Sequence, residues 1–544
     1  PYIDKVQKEL EFVFLDLRHY RECLAMARKR AETQEDYSEE ELKELLPLYK
    51  LFSPEHLLKR PFANDSNTLN QEFYHEFLYL MGLEEMQKGS GPKLIGRVEP
   101  ERRQRASLLE NTMERLQAKD CLAGIKNISD YGTPTERLFN VALELVLTWV
   151  NRLLFLKLLE GLLRQHKKIS FLSDDLLGSY TAIDQLFFQI LAVRPEERSE
   201  SIRKALPKLA ADVPYLNSSL FEISPLERET YFHISDLDNS LKMPYYKNTV
   251  LRDHYKDKRL SDSGASSEAT LCYFLRFLDA YDFSSEGGEA LQEQPKTLIN
   301  AAVLGLVFEK INGYQDGSFF TPGFITMYMC RETLRQAVLD KFREEKNWNC
   351  ANFTELYNQI RESGKNIKDA IQEANRVINR LKICDPAVGS GHFLVSALNE
   401  LLAIKSELGI LQDKEGRRLR DYSVYVENDE LQVLDENGEL FQYKPKSAES
   451  HRVQETLFHE KQYLIEHCLF GVDINANSVK ICQLRLWIEL LKHAYYHWKT
   501  DVLETLPNID INIQTGNSLL SRYEMEGDIG AILRQHGRTV RQYR

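Results

Sequence analysis

Apolar residues recur at three- and four-residue spacing through most of the first 300 positions, a pattern that predicts helices. Asp36-Tyr-Ser-Glu-Glu-Glu-Leu-Lys-Glu-Leu-Leu has a polar start, acids in its first turn and then an apolar stripe. Gly132-Thr-Pro-Thr-Glu-Arg predicts the start of a longer helix, with Thr133 as N-cap and Pro134 in the first helical position. That helix carries a greasy stretch from Leu138 to Leu159, interrupted by Asn140, Glu144, Asn151, Arg152 and Lys157. Spanning a bilayer takes about 18 uninterrupted apolar residues, so the pattern predicts a helix buried on most faces inside protein. Helices are also expected over Leu172–Phe188 and Glu196–Leu206, the second stopped by Pro207. Lys88-Gly-Ser-Gly-Pro-Lys and Ser261-Asp-Ser-Gly-Ala-Ser-Ser-Glu are polar, glycine-bearing breaks expected to be loops.

After residue 300 the pattern changes. Leu381-Lys-Ile-Cys-Asp is a short strand, followed by a glycine turn and a long helix from His392 to about Glu407. Residues 424–443 alternate in short runs, with Asn437-Gly438 between two of them, a strong hairpin signal. A β-hairpin insertion over about 411–449 is therefore expected. Cys468-Leu-Phe-Gly-Val-Asp predicts another strand, then a helix from about Ala476 to Trp498, and Ile509 to Asn517 a third strand. Strand–helix–strand alternation implies right-handed crossovers and a mainly parallel sheet. The expected architecture is an α-helical N-terminal region followed by an α/β core. Its expected division is a helical connector at 1–125, a helical domain at 126–300, and the α/β part at 301–544.

Composition narrows the class only a little. Hydrophobic residues make up 43% and charged residues 28% of the 544, the balance of a globular protein. The net charge of −12 excludes a histone-like basic coat, though not a local basic groove. The eight cysteines are scattered with no C-x-x-C pair. That spacing argues against zinc ribbons and a disulfide framework and suits a reducing cytoplasm.

The sharpest chemical feature is Asp385-Pro-Ala-Val-Gly-Ser-Gly-His-Phe-Leu, between a strand and a helix. Gly389 and Gly391 allow close backbone approach to a ligand, and the amides at the helix start favour a carboxylate or phosphate. The string lacks the Gly-Lys-Ser/Thr ending of a phosphate-binding P-loop, which disfavours a nucleoside triphosphate. Gly471-Val-Asp473-Ile-Asn places an acid at the end of the second strand, where a carboxylate can accept from both hydroxyls of a ribose. Such an acid usually follows the glycine loop by about 20 residues. Here Asp385 and Asp473 are 88 residues apart, and the hairpin insertion takes up part of the excess. Thr515-Gly-Asn517-Ser follows the third strand, where a carboxamide can meet the amino edge of an adenine. Upstream, Gly317-Ser-Phe-Phe-Thr-Pro-Gly-Phe puts an aromatic pair beside Thr321, which suits a core as well as the wall of a ligand site.

Taken in order, these four segments resemble motifs X, I, II and III of the gamma class of S-adenosylmethionine-dependent adenine-N6 DNA methyltransferases. That resemblance implies a Rossmann-like methyltransferase core and S-adenosylmethionine as cofactor. It implies that Phe320, Thr321 and Pro322 line the methionine end, that Asp385, Ala387, Gly389 and Gly391 form the main loop, that Asp473 with its neighbour Ile474 serves the ribose side, and that Asn517 faces the adenine. Many relatives carry Asp at the last of these positions. The resemblance extends to single-chain type IIG restriction–modification enzymes through Leu46-Pro-Leu-Tyr-Lys-Leu-Phe-Ser-Pro-Glu-His-Leu, Asn64-Asp-Ser-Asn, Arg152-Leu-Leu-Phe-Leu-Lys-Leu-Leu-Glu, Val213-Pro-Tyr-Leu-Asn-Ser-Ser-Leu-Phe-Glu and Tyr273-Phe-Leu-Arg-Phe-Leu-Asp-Ala-Tyr-Asp-Phe. It implies a prokaryotic, cytoplasmic enzyme that works on double-stranded DNA, with no membrane partner.

One signature is missing. The family's Asn/Asp-Pro-Pro-Tyr/Phe motif accepts the hydrogens of the target amine and stacks the flipped base, and this sequence contains no Pro-Pro dipeptide. No catalytic residue is therefore assigned, and the chain is expected to be a central piece, incomplete at the C-terminal side of its methyltransferase core. The target-recognition domain is expected beyond Arg544 and the nuclease domain before Pro1. Mg2+ is implied only for that nuclease, since no Asp…Glu-x-Lys cluster is found. The piece by itself is expected neither to methylate nor to cut. Rival readings are a methyltransferase of the same core acting on RNA or protein, and a non-catalytic scaffold of DNA defence. His493 and His497, one helical turn apart, have no local acidic third ligand and are taken as structural, so no metal site is expected. The basic run from Arg97 to Arg105, and the tail Arg534, Arg538, Arg541 and Arg544, are taken as solvated faces before DNA contacts.

Overall fold

A computed structural model describes residues 70–87, 93–167, 171–213, 215–216, 221–253, 266–283, 299, 305, 307, 321, 323–364, 366–427, 429–444, 446–497, 504 and 512–519. The chain divides into two units, Pro1–Asp65 and Ser66–Arg544, and every described residue lies in the second. The expected helix at Asp36, most of the expected loops at 88–93 and 261–268, and the arginine tail lie outside the described residues; the described ends of those loops, Lys93 and Ser267–Glu268, belong to strands, because each pairs in a hairpin.

The helical region opens with α1 (Gln71–Met81), capped by Asn70, and a hairpin of β1 (Leu83–Gln87) and β2 (Lys93–Arg97). Helix α2 (Leu108–Ala118), capped by Ser107, packs along α3 (Arg137–Lys167). Helix α3 bears out the buried-helix expectation, because Arg152 and Lys157 in its apolar stretch are interior and partnered. Arg152 is 1% exposed and pairs with Glu227, while Lys157 pairs with Glu160 and Asp279. No helix among the described residues is long and apolar enough to cross a membrane. A second small hairpin, β3 (Lys242–Pro244) with β4 (Ser267–Ala269), leads into α4 (Thr270–Asp279).

The helix expected over Leu172–Phe188 begins eight residues late, at Tyr180 under a Ser179 cap. Ahead of it the chain is tied back to α3, because Glu160 Oε1 accepts from the N–H of Phe171 (2.6 Å) and of Leu172 (2.9 Å), and residues 174–176 form only a turn closed by Leu177 N–H on the Ser173 carbonyl (2.9 Å). Pro207 does end one helix, and it opens the next from its first position.

The second half begins with α5 (Gly323–Lys346), α6 (Phe353–Glu362) and α7 (Ile367–Ile378), the last two each capped by an asparagine. Three short strands then pair in parallel in the order β5 (Ile383–Asp385), β8 (Leu469–Asp473), β9 (Ile513–Thr515). Their registers place Asp385 beside Gly471 and Asp473 beside Thr515. Helices α8 (His392–Glu407), α9 (Ala448–His467) and α10 (Ala476–Leu491) are the connections, and all three pack on the central strand β8. Helix α10 also packs on α3, with Phe155 edge-on to Trp487 at 6.3 Å and Lys480 3.8 Å from Glu144. It ends at Leu491, short of the expected Trp498.

Between α8 and α9 stands the expected insertion, with one correction. Its paired strands are β6 (Ser423–Glu427) and β7 (Glu430–Leu434), with Glu427 opposite Glu430 as the last pair, so this is where the hairpin turns. Asn437-Gly438 makes a second turn, with Gly438 at φ +77° and a single bridge from Leu434 to Leu440. Asp429 takes the left-handed backbone at φ +65°, which short polar side chains tolerate. Its carboxyl meets Ser396 on α8 (Ser396 Oγ to Asp429 Oδ1, 2.6 Å).

Candidate functional site

Each parallel strand ends in a loop, and the three loops are bound to one another. The N–H of Val388 donates to the Val472 carbonyl (2.9 Å), and that of Gly516 to the Asp473 carbonyl (2.8 Å). Ser518 Oγ donates to the Pro386 carbonyl (2.8 Å). The side chain of Asp473 meets the glycine bend directly, because its Oδ2 accepts from Gly389 N–H at 2.8 Å. Its Oδ1 accepts from Asn475 N–H at 2.8 Å. An ionised carboxylate has about four acceptor positions. Among the described residues two stay open on Asp473, a partly exposed group.

The bend owes its shape to its glycines. Gly389 and Gly391 have φ of +52° and +84°. A Cβ on Gly391 would come within 2.6 Å of Cys482 Sγ on α10, so only glycine lets the two segments close up. Gly391 also caps α8 without offering a side chain, which leaves the first amides of the helix without that partner. Asp385 Oδ1 accepts from Ala387 N–H (3.1 Å). Burial raises the pKa of Asp385, the Ala387 N–H opposes the rise, and the charge of Asp473 adds to it. Pro386 and Ala387 are exposed, and so are Ile474 (65%) and Asn517. Asn517 Oδ1 accepts from Leu519 N–H (2.9 Å), which leaves its amide group outward. Loops and strand ends thus frame a surface open to solvent.

Of the upstream segment, Thr321 is described and partly buried, while Phe320 and Pro322 lie outside the described residues. Gly305 is buried close to the bend, since a Cβ there would stand 3.5 Å from Ser390 Oγ and from Arg485 Nη1. His392 is buried, and burial followed by the charge of Arg485 holds its pKa well below the ordinary value. It therefore stands as a neutral helix-start residue. His493 is buried, whereas His497 pairs with Glu504 at 2.7 Å. Among the described residues no group of three potential ligands could hold a metal ion. The basic run is already engaged: Arg97 binds Glu110, Arg102 binds Glu84, Arg103 Nε donates to the Val98 carbonyl and Arg105 binds Glu114.

Sequence reasoning missed several residues that build the site. Asn475 caps α10 and turns the chain at Asp473. Arg485 is buried behind the bend and donates from Nη1 to the Ser390 carbonyl (3.2 Å). A charged residue on the apolar face of Val479-Lys-Ile-Cys-Gln-Leu-Arg-Leu-Trp was its only signal.

Comparison with known proteins adds an independent line. Residues 360–527 match the model described as MmeI, DNA-methyltransferase domain. Residues 66–299 and 1–65 each match a domain of unknown function. A putative type II restriction enzyme and methyltransferase of Methanocaldococcus jannaschii is 27% identical over 513 residues, which cover 89% of this chain and 35% of the relative. The chain therefore spans about a third of the length of that relative. The solved structure of the type IIL restriction–modification enzyme MmeI in complex with DNA aligns at 16% identity and a TM-score of 0.32, over 79% of this chain and 42% of that one.

Proposed function

We propose that this chain, a relative of the fused type II restriction and methyltransferase enzymes, supplies the cofactor-binding part of an adenine-N6 DNA methyltransferase with a Rossmann-like core. The observation that carries the proposal is the Asp473 carboxylate seated on the Gly389 amide, with two acceptor positions still open. S-adenosylmethionine would supply an already activated methyl group, so the protein need only align donor and acceptor. Asp473 would accept from the two ribose hydroxyls. The Gly389–Gly391 bend and the start of α8 would receive the amino-acid end, with Thr321 and its neighbours beside it. Ile474 offers an apolar platform to the adenine face, and the outward amide of Asn517 its hydrogen-bonding edge. These residues fit the group, because among the described residues Asp473 keeps two acceptor positions open and Ile474 and Asn517 stand exposed beside it.

Within a whole enzyme the substrate would be double-stranded DNA, and cleavage would belong to a separate Mg2+-dependent domain. The test is calorimetric titration of S-adenosylmethionine into the chain and into Asp473→Ala. Two charge-assisted hydrogen bonds, about 1.5–3 kcal/mol each, predict a loss of affinity of roughly a hundredfold or more. Equal affinity in both proteins would overturn the assignment.

A further inference from the structure

The hairpin insertion reaches the site through its tip, at a point the proposed function does not use. Asp429 Oδ1 lies 2.6 Å from Ser396 Oγ, Ser396 Oγ lies 2.9 Å from Thr326 Oγ1, and Thr326 Oγ1 lies 3.0 Å from the Gly323 carbonyl. Ser396 is on α8, one turn after the glycine bend. Thr326 and Gly323 are in the first turn of α5, directly after the segment around Thr321. Ser396 and Thr326 are fully buried. Asn399 Nδ2 holds the Asp429 carbonyl at 3.0 Å, so the tip is fixed by its backbone as well.

Counting protons decides the state of this row. Three oxygen–oxygen contacts at hydrogen-bond distance need three protons between them. Each hydroxyl brings one, and the Gly323 carbonyl brings none. The third can come only from the carboxyl of Asp429. With the acid protonated, Asp429 donates to Ser396, Ser396 to Thr326 and Thr326 to the carbonyl. With the carboxylate ionised, one of the three contacts has no hydrogen and becomes repulsive.

We propose that Asp429 is a positioning residue for the cofactor crevice, a neutral carboxylic acid whose proton completes a hydrogen-bonded row joining the glycine-bend helix to the helix that follows Thr321. The electrostatics agree with the proton count. Burial pushes the Asp429 carboxyl up to about 7; the Ser396 hydroxyl, which donates to the acid only in its ionised state, and the charge of Arg485 on α10 oppose the rise, and Glu430 and Glu489 reinforce it. Both of those glutamates pair with Lys492. Cys330, which faces the group from α5, is pushed up to about 12 by burial and then by Asp429, and stays a thiol. A raised folded-state value means that the native protein holds this proton more tightly than the unfolded chain. The stabilisation is therefore complete in acid and is lost as pH rises through about 7.

In its effect on the cofactor, the proposal rests on the methyltransferase reading. Titration of the whole chain with S-adenosylhomocysteine at about pH 6 and about pH 8.5 tests it, one pH lying on each side of the transition. Wild type is expected to bind roughly three- to tenfold more weakly at the higher pH, the worth of one neutral hydrogen bond. Asp429→Asn keeps a donor for Ser396 and tolerates the left-handed backbone, so it is expected to bind equally at both values, near the wild-type level in acid. The same fall in Asp429→Asn, or no fall in wild type, overturns the proposal. Should neither protein bind at either pH, the cofactor reading fails, and thermal unfolding then judges Asp429 alone. Wild type should lose Tm relative to Asp429→Asn as pH rises across the same interval, and parallel curves overturn the proposal.

Discussion

Two carboxylates measure the difference between the halves of the molecule. Glu227, in the helical region, is fully buried and has its acceptor capacity filled. It takes Trp149 Nε1 (2.8 Å), Arg152 Nη1 (2.6 Å), Arg152 Nη2 (2.9 Å) and the N–H of Ser224 (2.8 Å). Asp473, at the end of a parallel strand, takes two backbone amides and stands partly exposed. The helical region repeats the closed arrangement. Glu76 is consumed by Thr249, Val250 and Tyr273, and Glu160 by Lys157, Phe171 and Leu172. Closed networks of this kind specify a scaffold, whereas spare acceptor positions at a solvent-facing edge are what a ligand needs.

The strongest way to break this contrast is to open the closed side. Arg152→Met leaves Glu227 buried without its cation, an error that costs about 3–5 kcal/mol of stability. Chemical denaturation should show that loss, and Arg152→Met combined with Glu227→Leu should recover most of it, because the unpaired charge is then gone. If the single substitution costs less than about 1 kcal/mol, the network is no closed unit and the comparison fails.

Next in size is a substitution on the open side that acts through packing. Gly391→Ala must accept φ of +84° and a methyl group 2.6 Å from Cys482 Sγ. Left-handed backbone costs roughly 1–2 kcal/mol and overpacking about 1–3 kcal/mol. Adding Cys482→Ala should relieve the second part and leave the first, as read from unfolding midpoints. Full recovery would show that the backbone shape of the bend carries no strain.

How far these features could be foreseen follows from where their causes lie. Helix α8 was legible from His392 to Glu407, because its apolar stripe and glycine start are local. The strand ending at Asp473 was legible for the same reason, and so was the buried character of α3. The hairpin turn was misplaced because Asn437-Gly438 is the stronger local signal, while Asp429 owes its place to Ser396, 33 residues earlier. Leu172 lies ahead of the helix, in a stretch that a hydrogen bond from its amide ties to Glu160 on α3. Arg485 has a role that exists only once α10 has docked against the bend, whereas Asn475 is a local cap, its Oδ1 accepting from the N–H groups of Asn477 and Ser478. For Asp429 and Arg485 what the sequence leaves unread is a long-range polar contact.

The smallest expected effect is also the cleanest probe of the open side. Ile474 is 65% exposed directly after Asp473, and no polar contact depends on its side chain among the described residues. An exposed substitution of this kind changes stability by no more than about 0.5 kcal/mol, so Ile474→Ser should unfold like wild type. If the adenine face covers that side chain, some 40–60 Å² of apolar surface leaves water on binding, worth about 1–1.5 kcal/mol. Affinity for S-adenosylmethionine should then fall roughly five- to tenfold, with the larger part of the change in the dissociation rate. Unchanged affinity would mean that the base lies elsewhere. Asp473 would then hold the sugar at an edge whose apolar neighbour serves some other contact, and the open side would be narrower than its exposed residues suggest.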